Sequence, residues 1–392
     1  MSLLREDGNA VRNVTIYNAS WNTLGGGEKY ACMLADTLAA ERGNAVTILA
    51  DTPDITRELL QQYFNLRLNG IRVEHTQRNE VGRHIAQSDI GVIVSNVRPF
   101  GHRARQNVYV LQIPYSRIAP LTILARASRG QLREAAKDAM RISLLRDAGS
   151  ADLVLVYSQF VRDILHRNHG IEAEVLYPAI DDFGTKTRKQ KVILSVGRFF
   201  RGLYNDKRYD VLIEAFKQLH RHLPENSWQY RLVGSCGSDP ASRRYAEALK
   251  ESATGYPIEF HVNAPYGDLR RHYNEATLFW HAAGYGVDEE KHPERTEHFG
   301  MSTAEAMSAR CIPLVISKGG QKEIVSHGES GYLWNTIDEL VGQTIALMRN
   351  PALVGRMRGR ARLRFRDFDH AHFSRRCLSI FHQLESNTNG SR

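Results

Sequence analysis

Three runs follow one another in the middle of the chain: Val192-Ile193-Leu194-Ser195-Val196-Gly197-Arg198, then Tyr209-Asp210-Val211-Leu212-Ile213-Glu214-Ala215-Phe216-Lys217-Gln218-Leu219-His220-Arg221-His222, then Tyr230-Arg231-Leu232-Val233-Gly234. The outer two are short apolar runs that reach a glycine. The middle one is longer and amphipathic. This reads as strand, helix, strand, a βαβ unit with parallel strands. The rhythm extends both ways. Upstream, 11–17, 45–50, 90–95, 108–113 and 153–158 read as strands, with helices at 28–41 and near 160–167. Downstream, strands at Ile258–Val262, 277–281 and 312–317 alternate with helices at 241–252, 267–276, one opening at Ser302, and Ile337–Arg349. The expected fold class is α/β, with two doubly wound Rossmann-like domains.

The 392 residues suit two domains, and 42% hydrophobic residues supply real cores. A polar run at 181–191, after Tyr177-Pro178, marks the junction. The expected domains are 1–182 and 183–369, with a helical tail 370–392 returning toward the first. No apolar run approaches the ~18 residues of a membrane span. Residues 1–8 lack the apolar core of a secretory signal. Cys32, Cys236, Cys311 and Cys377 are scattered, which fits buried reduced thiols better than disulfides or zinc. The expected location is therefore cytoplasmic, or peripheral at the inner face of a membrane. The formal charge of +9 favours anionic partners, but no aromatic-basic or zinc pattern supports nucleic acid.

Ligands of such sheets lie outside the carboxyl ends of the strands, and the cleft between two domains is the default site. Suspicious residues fall at those ends. Glu297-His298-Phe299-Gly300-Met301-Ser302-Thr303-Ala304-Glu305 puts two carboxylates on either side of a Phe-Gly turn. Ser302 and Glu305 read as an S-x-x-E capping box. The unpaired amides of the helix start would serve an anion, and the carboxylates would serve hydroxyl groups. The pattern suits a nucleotide-sugar site. Arg198 emerges just past one strand, and Lys207 precedes the next helix; two converging cations would neutralise a diphosphate. Gly25, Gly26 and Gly27 lie between a strand and a helix, in neither the G-x-G-x-x-G nor the Walker pattern. Cys311 opens a further strand that leads to Gly319-Gly320, a second amide-rich turn. His281, His292 and His298 lack metal-ligand spacing and read as polar loop groups. No metal and no cofactor is expected. The charged segment 285–295 reads either as a solvated loop or as a lid. Arg126, Arg129, Arg133, Lys137 and Arg141 recur at helical steps and read as one stripe, either a solvated face or a contact for anionic lipid.

These segments, in this order, resemble the retaining GT-B glycosyltransferases of family 4, often called group 1. The resemblance rests on the 25–27 glycines, Val196-Gly197-Arg198, Lys207 before Asp210–Phe216, Leu232-Val233-Gly234, the E-x7-E of Glu297 and Glu305, and Gly319-Gly320 with Glu323. It implies two Rossmann-like domains around an interdomain cleft. It implies that Glu297 binds hydroxyls of the transferred sugar and that Glu305 holds the ribose. Arg198 and Lys207 would bind the donor diphosphate. The amides of Phe299, Gly300, Met301 and Ser302 would contact sugar and phosphate. Gly25, Gly26 and Gly27 would face the diphosphate, and the base would lie near Val262. It also implies metal-independent retention, with the departing phosphate deprotonating the acceptor. The Glu-His-Phe-Gly motif is similar to that of some mannosyltransferases, which implies GDP-mannose as donor and a glycan or lipid-linked glycan as acceptor. Two departures stand out. Arg310 occupies a position that is usually Gly, and Gln112 one that is often His. A UDP-sugar epimerase on the same architecture, and a non-catalytic glycan-binding subunit, remain alternatives.

Overall fold

The computed structural model describes residues 11–21, 24–96, 103–184, 187–201, 206–225 and 227–389. The polypeptide forms two compact units. One holds Met1–Ala179 with Phe373–Arg392, the other Ile180–His372.

The first unit runs β1 (Arg12–Asn18), α1 (Gly26–Ala40), β2 (Asn44–Ala50), α2 (Arg57–Phe64), β3 (Arg72–His75), α3 (Val81–Ile85), β4 (Ile90–Val94), β5 (Gln106–Leu111), α4 (Pro120–Ser128), α5 (Leu132–Gly149), β6 (Leu153–Val156), α6 (Gln159–His169) and β7 (Glu174–Val175). Its seven strands are all parallel, in the order β3-β2-β1-β4-β5-β6-β7. The strand order reverses between β1 and β4, the mark of a doubly wound sheet. β4 and β5 are buried at every position, as strands covered on both faces must be.

The second unit contains β8 (Val192–Val196), α7 (Tyr209–His222), β9 (Gln229–Gly234), α8 (Pro240–Ala253), β10 (Ile258–Val262), α9 (Tyr266–Glu275), β11 (Leu278–His281), α10 (Met301–Ser308), β12 (Ile312–Ile316), α11 (Gln321–Ile324), β13 (Tyr332–Trp334), α12 (Ile337–Arg349) and α13 (Pro351–Phe365). Six parallel strands run β10-β9-β8-β11-β12-β13, with the reversal between β8 and β11. Tyr209, Leu212, Phe216, Tyr230, Leu232, Trp280 and Leu314 are buried in its core. A last helix, α14 (His370–Asn389), closes the chain.

One expectation fails here. The five cations from Arg126 to Arg141 do not share a helix. The chain breaks at Gly130, whose φ of 76° suits glycine, and the cations divide between α4 and α5. Arg126 pairs with Asp138, Lys137 with Glu134, and Arg141 lies 4.9 Å from the Tyr115 ring centre. The more unusual feature is apolar. α4 buries no residue, and Leu121, Leu124 and Leu132 are 76%, 66% and 67% exposed.

Candidate functional site in the second unit

The suspected residues of the second unit gather at the carboxyl ends of β8, β11 and β12. Glycines make the approach possible. A Cβ on Gly234, at the end of β9, would sit 1.7 Å from the Gly197 carbonyl oxygen. On Gly319 it would come within 2.2 Å of the Glu297 carbonyl, and on Gly320 within 2.6 Å of the His298 carbonyl and the Phe299 Cα. The Gly319-Gly320 turn thus lies directly against the main chain of the Glu297 loop. The Gly320 N–H donates to the Glu297 carbonyl at 2.8 Å.

Glu297 is the centre of a buried polar cluster. Its Oε2 accepts from the Lys207 ammonium and lies 3.0 Å from His281 Nε2. His281 Nδ1 lies 3.2 Å from the Gln321 amide nitrogen. An amide nitrogen only donates, so Nδ1 accepts and the ring proton sits on Nε2, facing Glu297. Burial lowers the His281 pKa, and Lys207 adds to this, so the ring is neutral. Burial opposes the charge on Glu297, but Lys207 and His281 outweigh it and hold the carboxyl well below its usual range. Both donors use Oε2. Among the described residues, Oε1 has no partner and remains available to a ligand.

The helix start differs from the sequence expectation. Gly300, with φ 116°, is the residue before α10, and no side chain caps the helix. Ser302 lies inside the first turn, too late to cap it. Glu305 is two residues beyond Thr303, the position from which a capping box would reach back. The left-handed turn at Gly300 does the work that a capping side chain would do, and the Gln321 amide stacks over it (a Cβ there would meet Nε2 at 2.8 Å). Glu305 instead accepts from the Tyr273 hydroxyl at 2.7 Å. Burial and Glu305 raise the Tyr273 pKa, so the phenol stays protonated and donates. The amides of Met301 and Ser302, in the first turn, are left for an anion.

The two expected diphosphate cations stand differently. Lys207 is engaged by Glu297. Arg198 is exposed, 5.2 Å from the Phe200 ring centre, and makes no ion pair among the described residues. Val262 ends β10 and is half-buried, next to Asn263, whose N–H donates to the Gly234 carbonyl. The 285–295 segment is fastened. Glu289 accepts from the Gly319 N–H at 2.9 Å and from Lys322 at 2.7 Å, and Lys318 donates to the Val287 carbonyl at 2.8 Å. In the first unit, Gly25 precedes α1 and its N–H donates to Glu28 at 3.1 Å. Gly26 opens that helix, and Gly27 lies against the Gln112 amide. Asn22, Thr23 and residues 1–8 lie outside the described residues. Among the described residues no His, Cys, Asp and Glu group could hold a metal ion.

The family description "Glycosyl transferases group 1" matches residues 178–364, and "Glycosyltransferase Family 4" matches residues 24–182. This chain belongs to the group 1, family 4 glycosyltransferases. Its similarity to curated members is partial. It is 30% identical over 161 residues to GDP-Man:Man(3)GlcNAc(2)-PP-Dol alpha-1,2-mannosyltransferase of Xenopus laevis, covering 39% of this chain and 30% of that protein. The namesake from Dictyostelium discoideum is 27% identical over 239 residues, 57% of this chain and 45% of that one. The chain thus spans less than half the length of either relative. The fold extends further: a glycosyltransferase from Rickettsia africae ESF-5 aligns over 96% of this chain and 99% of its own, with a TM-score of 0.71 at 16% identity. This supports the two-domain GT-B fold of the group 1 glycosyltransferases.

The sequence pointed to Glu297, Lys207, Arg198 and Glu305 but not to how Glu297 is held. His281 is no loop residue; it is the last position of β11 and fully buried. A histidine closing the apolar run Leu278-Phe279-Trp280, at a strand's carboxyl end, was the available signal. Gln321, forty positions away, left none.

Proposed function

We propose that this chain transfers mannose from GDP-mannose to a lipid-linked glycan, with retention and without a metal ion. The observation that carries the reading is the Glu297 cluster: a buried, anionic carboxylate with one oxygen held by Lys207 and His281 and the other open, beside the start of α10. The names of the curated relatives, which specify GDP-mannose and a dolichol-linked glycan, support the donor and acceptor class.

In the transition state of glycosyl transfer, positive charge grows on the sugar and negative charge on the leaving diphosphate. Glu297 Oε1 would accept a sugar hydroxyl and place carboxylate charge near the developing cation. Glu305 would take the ribose hydroxyls. Arg198, Lys207 and the first amides of α10 would receive the charge that collects on the diphosphate, a role a divalent cation fills elsewhere. Lys207 is then shared between Glu297 and phosphate. The acceptor hydroxyl proton passes to the departing phosphate oxygen on the same face, which gives retention. Glu297, whose Oε2 already carries two donors, acts as a charge stabiliser.

The test is donor-dependent stabilisation followed by product analysis. GDP-mannose should raise the melting temperature more than UDP-glucose at equal concentration. Glu297→Gln and Lys207→Ala should each lower turnover by roughly 100-fold or more. A retained rate in both variants, or products that are only isomerised nucleotide sugars, would end the reading.

Among the described residues no helix is long and apolar enough to cross a membrane. The exposed Leu121, Leu124 and Leu132 lie on the same stretch of chain as Arg129 and Arg133, a mixture of apolar and cationic side chains that suits contact with anionic lipid. Leu121→Glu with Leu124→Glu should abolish co-sedimentation with phosphatidylglycerol vesicles without lowering the melting point. Unchanged co-sedimentation would remove the idea.

A further inference from the structure

The Glu297 carboxylate is held from three separate segments. Lys207 precedes α7, His281 ends β11, and Gln321 opens α11. Gln321 is fully buried and reaches Glu297 through His281. Its amide nitrogen lies 3.2 Å from His281 Nδ1, and His281 Nε2 lies 3.0 Å from Glu297 Oε2. The same amide is wedged under the left-handed turn that starts α10, where a Cβ on Gly300 would meet its nitrogen at 2.8 Å. Gln321 therefore touches both the ring that holds Glu297 and the turn that presents the α10 amides. Neither sugar nor phosphate needs to reach it for it to matter.

The way this amide faces decides what His281 can do. With its nitrogen toward the ring, Nδ1 accepts, and the one proton of the neutral ring stays on Nε2. Turned over, the amide oxygen would call for a proton on Nδ1. A neutral ring would then set the bare Nε2 lone pair against the Glu297 carboxylate, two acceptors in contact. A second ring proton would relieve that clash, but burial and Lys207 both oppose it. A ring held at both nitrogens also cannot swing without losing a partner, which keeps Oε2 engaged. We propose that Gln321 is a positioning residue for sugar transfer: it holds His281 so that the Nε2 proton stays on Glu297 Oε2 and Oε1 is left to the sugar. Its role in turnover rests on the transfer reading above; the placement of the proton does not.

The experiment pairs NMR with kinetics on the full chain. Long-range proton–nitrogen correlation spectra of histidine-labelled protein at neutral pH should show His281 as the Nε2–H tautomer, its signals assigned by their loss in His281→Gln. Gln321→Glu replaces the donor with an acceptor of the same shape, so the ring should become doubly protonated. Gln321→Leu keeps the bulk and removes the donor. It should lower kcat with GDP-mannose about tenfold and leave KM within about twofold. His281→Gln keeps a donor for Glu297 but has no acceptor at the Nδ1 position. In that background Gln321→Leu should cost less than about twofold more, because the two residues act as one unit. A merely structural glutamine gives equal, additive losses in both backgrounds. That result, a wild-type ring with its proton on Nδ1, or a ring unchanged in Gln321→Glu overturns the proposal. The NMR arms need no substrate. A wild type with the expected ring that moves no mannose counts against the transfer reading, and the ring in Gln321→Glu still decides whether Gln321 places the proton.

Discussion

Arg310 has φ 63°, a left-handed backbone that costs a non-glycine residue about 1 kcal/mol. It follows Ala309, where α10 ends. The Arg310 N–H donates to the Met307 carbonyl at 2.9 Å, and the Cys311 N–H to the Ala306 carbonyl at 2.8 Å. This is the Schellman arrangement, which glycine favours. The Arg310 charge also works against the neighbouring buried Lys189. Arg310→Gly should therefore raise stability by ~0.5–1 kcal/mol in urea denaturation, with turnover unchanged. Histidines set the acid limit at the same scale. Burial lowers the pKa values of His281 and His298, and burial with His261 brings His272 to about 4. A group that binds its proton more weakly when folded favours the fold above its unfolded pKa, near 6.5, and that stability is lost as pH falls toward the folded value. Glu297 is depressed too, but its contribution persists until pH drops below the usual carboxylate range of ~4.3. The melting temperature should thus decline between pH 6.5 and 4 through histidine protonation. His272→Phe should flatten part of that slope; an identical profile in the variant would show that His272 plays no part.

At the scale of elements, the Gly319-Gly320 turn holds the Glu297 loop in place. The φ of Gly320 is an ordinary −67°, so only contact requires glycine there. Its Cβ would meet main-chain atoms of His298 and Phe299, which cannot rotate away. Gly320→Ala should cost ~1–3 kcal/mol and at least ~10-fold in turnover, because the turn must part from the loop that carries Glu297. Gly342→Ala, a helical glycine with nothing within 4 Å, is the control and should stabilise slightly. Elements with a plain pattern were legible in the sequence: β8, α7, β10 and α12 have the bounds that their apolar runs predict. Others were not. β3 is short and mostly exposed, so it shows no strand pattern. α13 carries Arg356, Arg358, Arg360, Arg362 and Arg364 in place of a wide apolar stripe. It is helical all the same, with Pro351 in its first turn, Asn350 accepting from the Leu353 N–H, and Arg362 donating to the Ser308 carbonyl at 2.6 Å. The S-x-x-E pattern misled because a left-handed glycine can start a helix without a side-chain cap. The stripe of cations misled because helical spacing survives a break at Gly130. The acids and cations of the proposed donor site were readable because they are local to strand ends. The His281–Gln321 link exists only after distant segments are brought together.

At the scale of the molecule, each unit has its own sheet and core, but the first needs both ends of the chain. From Phe373 onward, α14 belongs to that unit. Phe373 meets the Tyr30 ring edge-on at 5.7 Å, Ser374 lies 3.3 Å from Thr37, Gln106 donates to the Leu384 carbonyl at 3.1 Å, and Arg12 pairs with Glu385. Phe373, Cys377, Ile380, Phe381 and Leu384 are all buried. At about 1.5–3 kcal/mol for each large apolar side chain, they contribute on the order of 8 kcal/mol, comparable with the whole stability of a typical domain. Removing residues 373–392 should therefore unfold the first unit and leave the second, which carries its own core and Lys207, Glu297, His281 and Gln321. Calorimetry of the full chain should resolve two transitions, and the shortened chain should keep one. GDP should raise that surviving transition by mass action, since most of the proposed diphosphate and ribose contacts (Arg198, Lys207, Glu305 and the first amides of α10) lie in the second unit. A shortened chain that keeps both transitions would show that α14 is dispensable. One that keeps neither would show that the second unit depends on the first. A surviving transition that ignores GDP would place the nucleotide elsewhere.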